Sequence, residues 1–261
     1  EAMDPGRFDL FAYATSPVDD AVSARLRRTM PNWRRVADLE DEPLAARIRE
    51  DRIDILVDLA GFTRNNRLTV FARKPAPVQL TWLGYSGTTG LVAIDYILGD
   101  RFVTPEGSEG QFAETIWRMP DSYLCFMPPA ADVPVAPPPA RANGHVTFGS
   151  FNNLNKISPR TIALWSRVLE AVPGSRLLIK FATLEQEAVR KEVRDKFAAA
   201  GADPDRLDLV GQIREESGHL AAYGQVDIGL DPLPYNGTTT TCEALWMGVP
   251  VLTLRGDRFI A

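Results

Sequence analysis

The sequence predicts an α/β protein built as two lobes, each around a parallel sheet. Short apolar runs alternate with amphipathic segments along the whole chain. The runs are rich in Val, Ile and Leu, as in strands covered on both faces. The alternation is interrupted once, by PPAADVPVAPPP at residues 128–139, where neither a helix nor a central strand can be sustained. These observations give a first lobe over 1–127, a linker over 128–144 and a second lobe over 145–261. With 261 residues, 45% of them hydrophobic, the chain can form real cores.

In the first lobe, residues 8–13 read as a strand and 20–28 as a helix. A helix over 43–50 places Leu44, Ala45 and Ile48 on one side. IDILVDL at 53–59 and VQLTWL at 78–83 are buried strands, and 94–98 is a further one. In the second lobe, strands are expected at 146–151, 176–181, 207–210, 228–230 and 251–254. Helices are expected at 159–172, 184–200, 218–225 and 239–247. Strand–helix repetition at this spacing implies right-handed crossovers and a Rossmann-like sheet in each lobe, with a cleft between lobes. Trp82, Trp165 and Trp246 are expected to fill cores. Both ends look cut: 1–6 reads as a helix tail entering an Asp-Pro-Gly turn, and the last strand stands close to Ala261. The sequence therefore reads as a piece of a longer protein.

Composition removes several classes of function. A net charge of −5 argues against a dedicated nucleic-acid binder. No apolar run approaches the roughly 20 residues of a membrane-spanning helix. Two cysteines, Cys125 and Cys242, are too few for a disulfide scaffold or zinc ribbon and fit a cytoplasmic location. Two histidines, His145 and His219, exclude multi-histidine metal sites.

Ligands of open parallel sheets bind where the strands end. After the first strand of the second lobe come Asn152, Asn153, Leu154, Asn155 and Lys156, then Ser158 as N-cap and Pro159 as first helical residue. Lys156 thus sits beside the positive end of a helix, a place that suits it when an anion shares it; a solvated surface lysine is the other reading. His219 is expected in the first turn of a short helix, where a neutral ring suits stacking on a base, or else as a capped surface histidine. The run Tyr235-Asn236-Gly237-Thr238-Thr239-Thr240-Thr241-Cys242-Glu243 follows a strand that ends in Asp231-Pro232. A tight turn and threonine hydroxyls at a helix start suit phosphate oxygens, and Glu243 suits ribose hydroxyls. A capping box of Thr240 with Glu243 would explain two of these residues and not the rest. In the first lobe, Gly61, Gly84, Gly87 and Gly90 follow strands in loops able to cradle phosphate or sugar. Arg64 and Arg67 read as ordinary helix-start and surface charges.

Three stretches in order carry a resemblance: Pro75-Ala76-Pro77-Val78-Gln79 through Trp82-Leu83-Gly84-Tyr85, then Phe151-Asn152-Asn153-Leu154-Asn155-Lys156, then Asn236-Gly237-Thr238-Thr239-Thr240. Together they resemble the catalytic region of the O-linked N-acetylglucosamine transferase/SPINDLY proteins, glycosyltransferase family 41, over nearly the whole chain. The resemblance implies a GT-B fold of two Rossmann-like lobes, incomplete at both chain ends here, in a longer chain that carries tetratricopeptide repeats. It implies metal-free, inverting transfer of a sugar, N-acetylglucosamine from UDP-N-acetylglucosamine in the usual case, to Ser or Thr of acceptor proteins. Relatives using UDP-glucose or GDP-fucose, and a non-catalytic nucleotide-sugar-binding scaffold, are the alternatives.

Carried over position by position, the resemblance gives Lys156 the diphosphate and the leaving group, with Asn153 beside it. His219 would stack on the base, and the backbone near Arg214 would read its edge. Thr238, Thr239 and Thr240 would hold phosphate oxygens and Glu243 the ribose. Thr63, Leu83 and Gly84 would face the donor sugar and the acceptor. The sequence departs from the pattern in places. Animal enzymes have His at Thr238 and Asp at Glu243. Glu216 stands where a basic residue often precedes the histidine. Phe62 replaces a His of many bacterial members, and Ser86 a usual Pro. The family's first strand, with a histidine important for activity, would precede Glu1, and further helices would follow Ala261, so the piece alone is expected to be inactive.

Overall fold

The computed structural model describes Asp4 and residues 6–256; the helix tail expected at 1–3 and the residues from 257 onward lie outside them. The chain divides into two compact units, Glu1–Cys125 and Phe126–Ala261.

The first unit contains β1 (Phe11–Ala14), α1 (Ala21–Thr29), β2 (Asn32–Arg35), α2 (Asp41–Glu50), β3 (Ile55–Asp58), α3 (Leu68–Ala72), β4 (Val78–Thr81), β5 (Tyr96–Gly99) and β6 (Thr115–Arg118). Its strands form a two-stranded sheet, β1-β2, and a four-stranded sheet, β3-β4-β5-β6, with every pair parallel. Leu44, Ala45 and Ile48 of α2 are buried with Val36, Leu56 and Phe71, as their spacing predicts. Three elements had no clear apolar signal: β2 reads Asn-Trp-Arg-Arg, β6 is an alternately exposed edge strand, and α3 is short. What ties β2 to α2 is polar. Arg34 donates to Asp51 Oδ1 at 2.8 Å, and the Tyr13 hydroxyl of β1 donates to Asp51 Oδ2 at 2.8 Å.

The second unit contains α4 (Ala140–Asn143), β7 (Thr147–Ser150), α5 (Pro159–Ala171), β8 (Arg176–Lys180), α6 (Glu187–Ala199), β9 (Leu207–Val210), α7 (Glu216–Ala221), β10 (Ile228–Leu230), α8 (Thr239–Trp246) and β11 (Val251–Leu252). The parallel sheet runs β11-β10-β7-β8-β9. The chain winds outward from β7 through β8 to β9, then crosses back to β10 on the other side of β7. That reversal makes the β7/β10 boundary a topological switch point, where a crevice opens beyond the strand ends. Trp165 and Leu169 of α5 pack on Leu177 and Ile179 of β8 and Phe197 of α6, all nearly inaccessible to water. Each such burial contributes about 1.5–3 kcal/mol.

Several boundaries differ from expectation. The helix expected over 184–200 is a 3-10 turn, Ala182–Glu185, followed by α6, because Gln186 is extended (ψ 123°). α7 begins at Glu216, so His219 is its fourth residue and lies beyond the first turn. Trp246 is not a core residue: it is 48% exposed at the end of α8, whose Ala244 faces the core. The proline-rich stretch belongs to the second unit and packs within it through Ala131 and Val133, against a cluster containing Phe151, Leu220 and Tyr223.

Candidate functional site

In the second unit, two loops meet at the switch point. Ser158 caps α5 by accepting from the Thr161 N–H, and Pro159 opens the helix, as the sequence predicts. Both hydroxyls, Ser158 Oγ at 2.8 Å and Thr161 Oγ1 at 2.7 Å, donate to the Leu233 carbonyl in the loop after β10. The start of α5 thereby clamps that loop. Lys156 lies between them, with Nζ donating to the Asn236 carbonyl at 2.9 Å and 4.4 Å from the centre of the Tyr235 ring. Burial lowers its pKa from the ordinary lysine value, and the nearby charge of Asp231 opposes the shift. An ammonium in this setting has few water partners and is ready for an anion.

Asp231 organises the Asn-Gly turn from beneath. It is buried, accepts from the Gly237 N–H at 2.6 Å through Oδ1, and takes Asn236 Nδ2 at 2.9 Å and Thr253 Oγ1 at 2.8 Å through Oδ2. Gly237 must be small: a Cβ there would stand 2.8 Å from Asp231 Oδ1 and 2.7 Å from Thr241 Oγ1. Thr238 is the N-cap of α8 and makes no side-chain capping bond. The capping box of Thr240 with Glu243 does not form. Thr240 Oγ1 instead donates to Asn152 Oδ1 at 3.1 Å, tying α8 to the end of β7. Thr239 is exposed in the first turn of α8, where backbone N–H groups have no helical acceptor.

Glu243 belongs to a polar chain. Its Oε2 lies 3.0 Å from His219 Nε2 and accepts from the Tyr223 hydroxyl at 3.1 Å. His219 Nδ1 lies 2.6 Å from Lys180 Nζ. Burial first, and then the charge of Glu243, push the Tyr223 hydroxyl far above its ordinary pKa, so it stays a proton donor. Arg214 is exposed between β9 and α7, and Asn153 is exposed, its side chain accepting from the Asn155 N–H at 3.0 Å. The structure thus gathers Lys156, Thr238, Thr239, Thr240, Glu243 and His219 around the ends of β7, β8 and β10. Asn152, Lys180, Tyr223 and Asp231 join them without having been singled out as site residues. Lys180 and Asp231 each lie at the carboxyl end of a strand, which is the signal that could have found them.

In the first unit, Thr63, Leu83 and Gly84 lie in the loops after β3 and β4. Thr63 Oγ1 donates to the Ala60 carbonyl at 2.7 Å. Gly84 packs so tightly that a Cβ would come within 2.3 Å of the Leu59 carbonyl oxygen. Leu83 holds φ at +70°, a left-handed conformation costing on the order of 1–2 kcal/mol. The buried Asp58 carboxylate fixes both loops, accepting from Gly61 N–H at 2.9 Å and Thr81 Oγ1 at 2.8 Å. Phe62 is exposed and meets Tyr85 edge to face at 5.7 Å.

Residues 1–127 and 140–261 match the family described as Glycosyl transferase family 41. The chain belongs to that family. The two matched stretches leave only the proline-rich segment between them. Among family 41 proteins, the chain is 45% identical over 225 residues to the probable UDP-N-acetylglucosamine--peptide N-acetylglucosaminyltransferase SPINDLY of Petunia hybrida, covering 86% of this chain and 24% of that protein. It is 42% identical over 254 residues to the like-named protein of Solanum lycopersicum, covering 96% of this chain and 27% of that one. It therefore spans about a quarter of the length of these relatives. A solved structure of a Thermobaculum terrenum O-GlcNAc transferase mutant superposes with a TM-score of 0.94 at 40% identity, covering 100% of this chain and 49% of that one. That likeness shows the α/β, parallel-sheet fold of the GT-B type for family 41 here. Among the described residues, no group of three or more His, Cys, Asp or Glu could hold a metal, and no helix is long and apolar enough to cross a membrane.

Proposed function

We propose that this chain is the donor-site region of a cytoplasmic protein O-glycosyltransferase that moves N-acetylglucosamine from UDP-N-acetylglucosamine to Ser or Thr, with inversion and without a metal. The observation that carries the reading is the meeting of Lys156, the threonine run and Glu243 at the switch point of a family 41 chain. The acceptor hydroxyl attacks the anomeric carbon from the face opposite the diphosphate. A new C–O bond forms as the bond from the anomeric carbon to the phosphate oxygen breaks, and UDP departs with the bonding electron pair. The hydroxyl proton passes to solvent or a base outside the residues assigned here.

The negative charge that grows on the leaving diphosphate is met by the Lys156 ammonium, by Thr238, Thr239 and Thr240, and by the N–H groups opening α8. No metal is needed where a fixed ammonium and a helix start supply that charge. Glu243 takes the ribose hydroxyls, His219 the face of the base, and the backbone near Arg214 its edge, with Asn153 beside the diphosphate. Thr63, Leu83 and Gly84 serve the sugar and acceptor side. Tetratricopeptide repeats elsewhere in the full-length protein select acceptor proteins.

The test is a transfer assay with the full-length protein, labelled UDP-N-acetylglucosamine and an acceptor protein, with GDP-fucose and UDP-glucose as competing donors. Metal-chelated buffer is used throughout. Labelled Ser or Thr from UDP-N-acetylglucosamine alone supports the proposal. Label arriving only from GDP-fucose or UDP-glucose, or only when metal is restored, contradicts it.

A further inference from the structure

The proposed transfer chemistry uses the half-buried Lys156 and leaves a more deeply buried lysine without a task. Lys180 closes β8 and is 7% exposed. Its Nζ lies 2.6 Å from His219 Nδ1 and 5.1 Å from the centre of the Phe151 ring. On the far side of the imidazole, Nε2 lies 3.0 Å from Glu243 Oε2, which also accepts from Tyr223 at 3.1 Å. An ammonium has only donors and a carboxylate only acceptors. One form of the ring satisfies both neighbours: neutral, with its proton on Nε2. A proton on Nδ1 would point at the ammonium.

We propose that Lys180 is a positioning residue that keeps the His219 ring proton on Nε2, so that His219 donates to Glu243 Oε2 and Oε1 is left for a ligand hydroxyl, while the Tyr223 hydroxyl lies 3.1 Å from both Oε2 and the Thr240 carbonyl. No hydrogen bond reaches Oε1 among the described residues. Without the ammonium, nothing on that side keeps the ring proton off Nδ1, and when the proton moves there Glu243 Oε2 loses the donor it had in Nε2. The groups facing the ring are Lys180 from β8, Glu243 from α8, and the aromatic rings of Phe151 and Tyr223 at 5.9 and 5.7 Å. Burial lowers the pKa of Lys180, and the charge of Glu243 works against that loss. The ligand half of this inference rests on the donor-site reading above; the state of the ring does not.

The chain has two histidines, so nitrogen-15 NMR of the 261-residue chain near neutral pH can follow His219 separately. Wild type is expected to show a bare Nδ1 and a protonated Nε2. Lys180→Met is expected to gain a proton on Nδ1, and Lys180→Leu, which likewise has no donor, the same, which keeps the test open if the methionine variant does not fold. Lys180→Arg retains the charge and is expected to keep Nδ1 bare. UDP affinity should fall about tenfold in the uncharged variants and recover in Lys180→Arg. A protonated Nδ1 in wild type, or a bare Nδ1 in a folded uncharged variant, would overturn the inference. Failure of wild type to bind UDP would strike the donor-site reading instead, while the ring spectra still judge what Lys180 does to His219.

Discussion

Lys156 donates to the Asn236 carbonyl across 2.9 Å, joining the loop that follows β7 to the loop that follows β10. The bond spans the switch point of the sheet, so one half-buried ammonium is fixed where the strand order reverses. The Asp231 carboxylate lies near enough to help keep it charged.

Removing that charge tests its role. Lys156→Met is expected to weaken UDP binding by about 10–100-fold, the range for losing charge-assisted hydrogen bonds, while the melting temperature moves by only a few degrees. Because burial lowers the pKa of Lys156, wild-type affinity should decline as pH rises at values below the ordinary lysine pKa of about 10.4. Calorimetry across alkaline pH reads both effects, and a Lys156→Met variant with wild-type affinity would remove the residue from the site.

Asp231→Asn replaces one acceptor oxygen with a donor that faces Asn236 Nδ2. The expected cost is about 2–3 kcal/mol in urea denaturation, together with weaker UDP binding as the turn loosens. Wild-type stability in this variant would mean that the turn is held by something other than Asp231.

In the first unit, Gly84→Ala would drive a Cβ to 2.3 Å from the Leu59 carbonyl oxygen and 2.8 Å from the Ala60 backbone. Backbone cannot swing aside as a side chain can, so a loss of about 1–3 kcal/mol is expected. Gly110→Ala, where no atom lies within 4 Å of the added Cβ, is the matched control and should be close to neutral. Equal unfolding curves for the two variants would contradict the tight packing of these loops.

The Arg34 hydrogen bond, opposed by burial, holds the Asp51 carboxyl below its ordinary pKa. A depressed carboxylate adds stability that is complete above the unfolded value of about 3.9 and is lost as pH falls through the lower folded value. Acid unfolding of the β1-β2 and α2 region should therefore be blunted in Asp51→Asn, which is already less stable at neutral pH. Parallel acid titrations of wild type and variant by circular dichroism would show it; identical acid limbs would not fit.

Much of the second unit was legible because its central strands β7, β8 and β10 are largely buried and α5 and α6 carry one apolar stripe. β9 and β10 fall at 207–210 and 228–230 as the sequence predicts, and α5 starts where Ser158 and Pro159 require. β2 was not legible, since its place depends on Arg34 finding Asp51 across 17 residues of sequence. Trp246 misled for a related reason: size favours burial, but its position on α8 turns it outward. In the candidate site, Lys156 and Glu243 stood out through their local patterns. Lys180 and Asp231 did not, because each is a single polar residue ending an apolar strand, and what it touches lies on other elements.

The most direct measurement is calorimetric titration of UDP and GDP into the folded full-length protein, with Glu243→Ala and His219→Ala alongside. The account predicts UDP binding that both substitutions weaken, with GDP binding more weakly. A folded wild-type chain that binds neither nucleotide, or UDP binding that both substitutions leave unchanged, would contradict it.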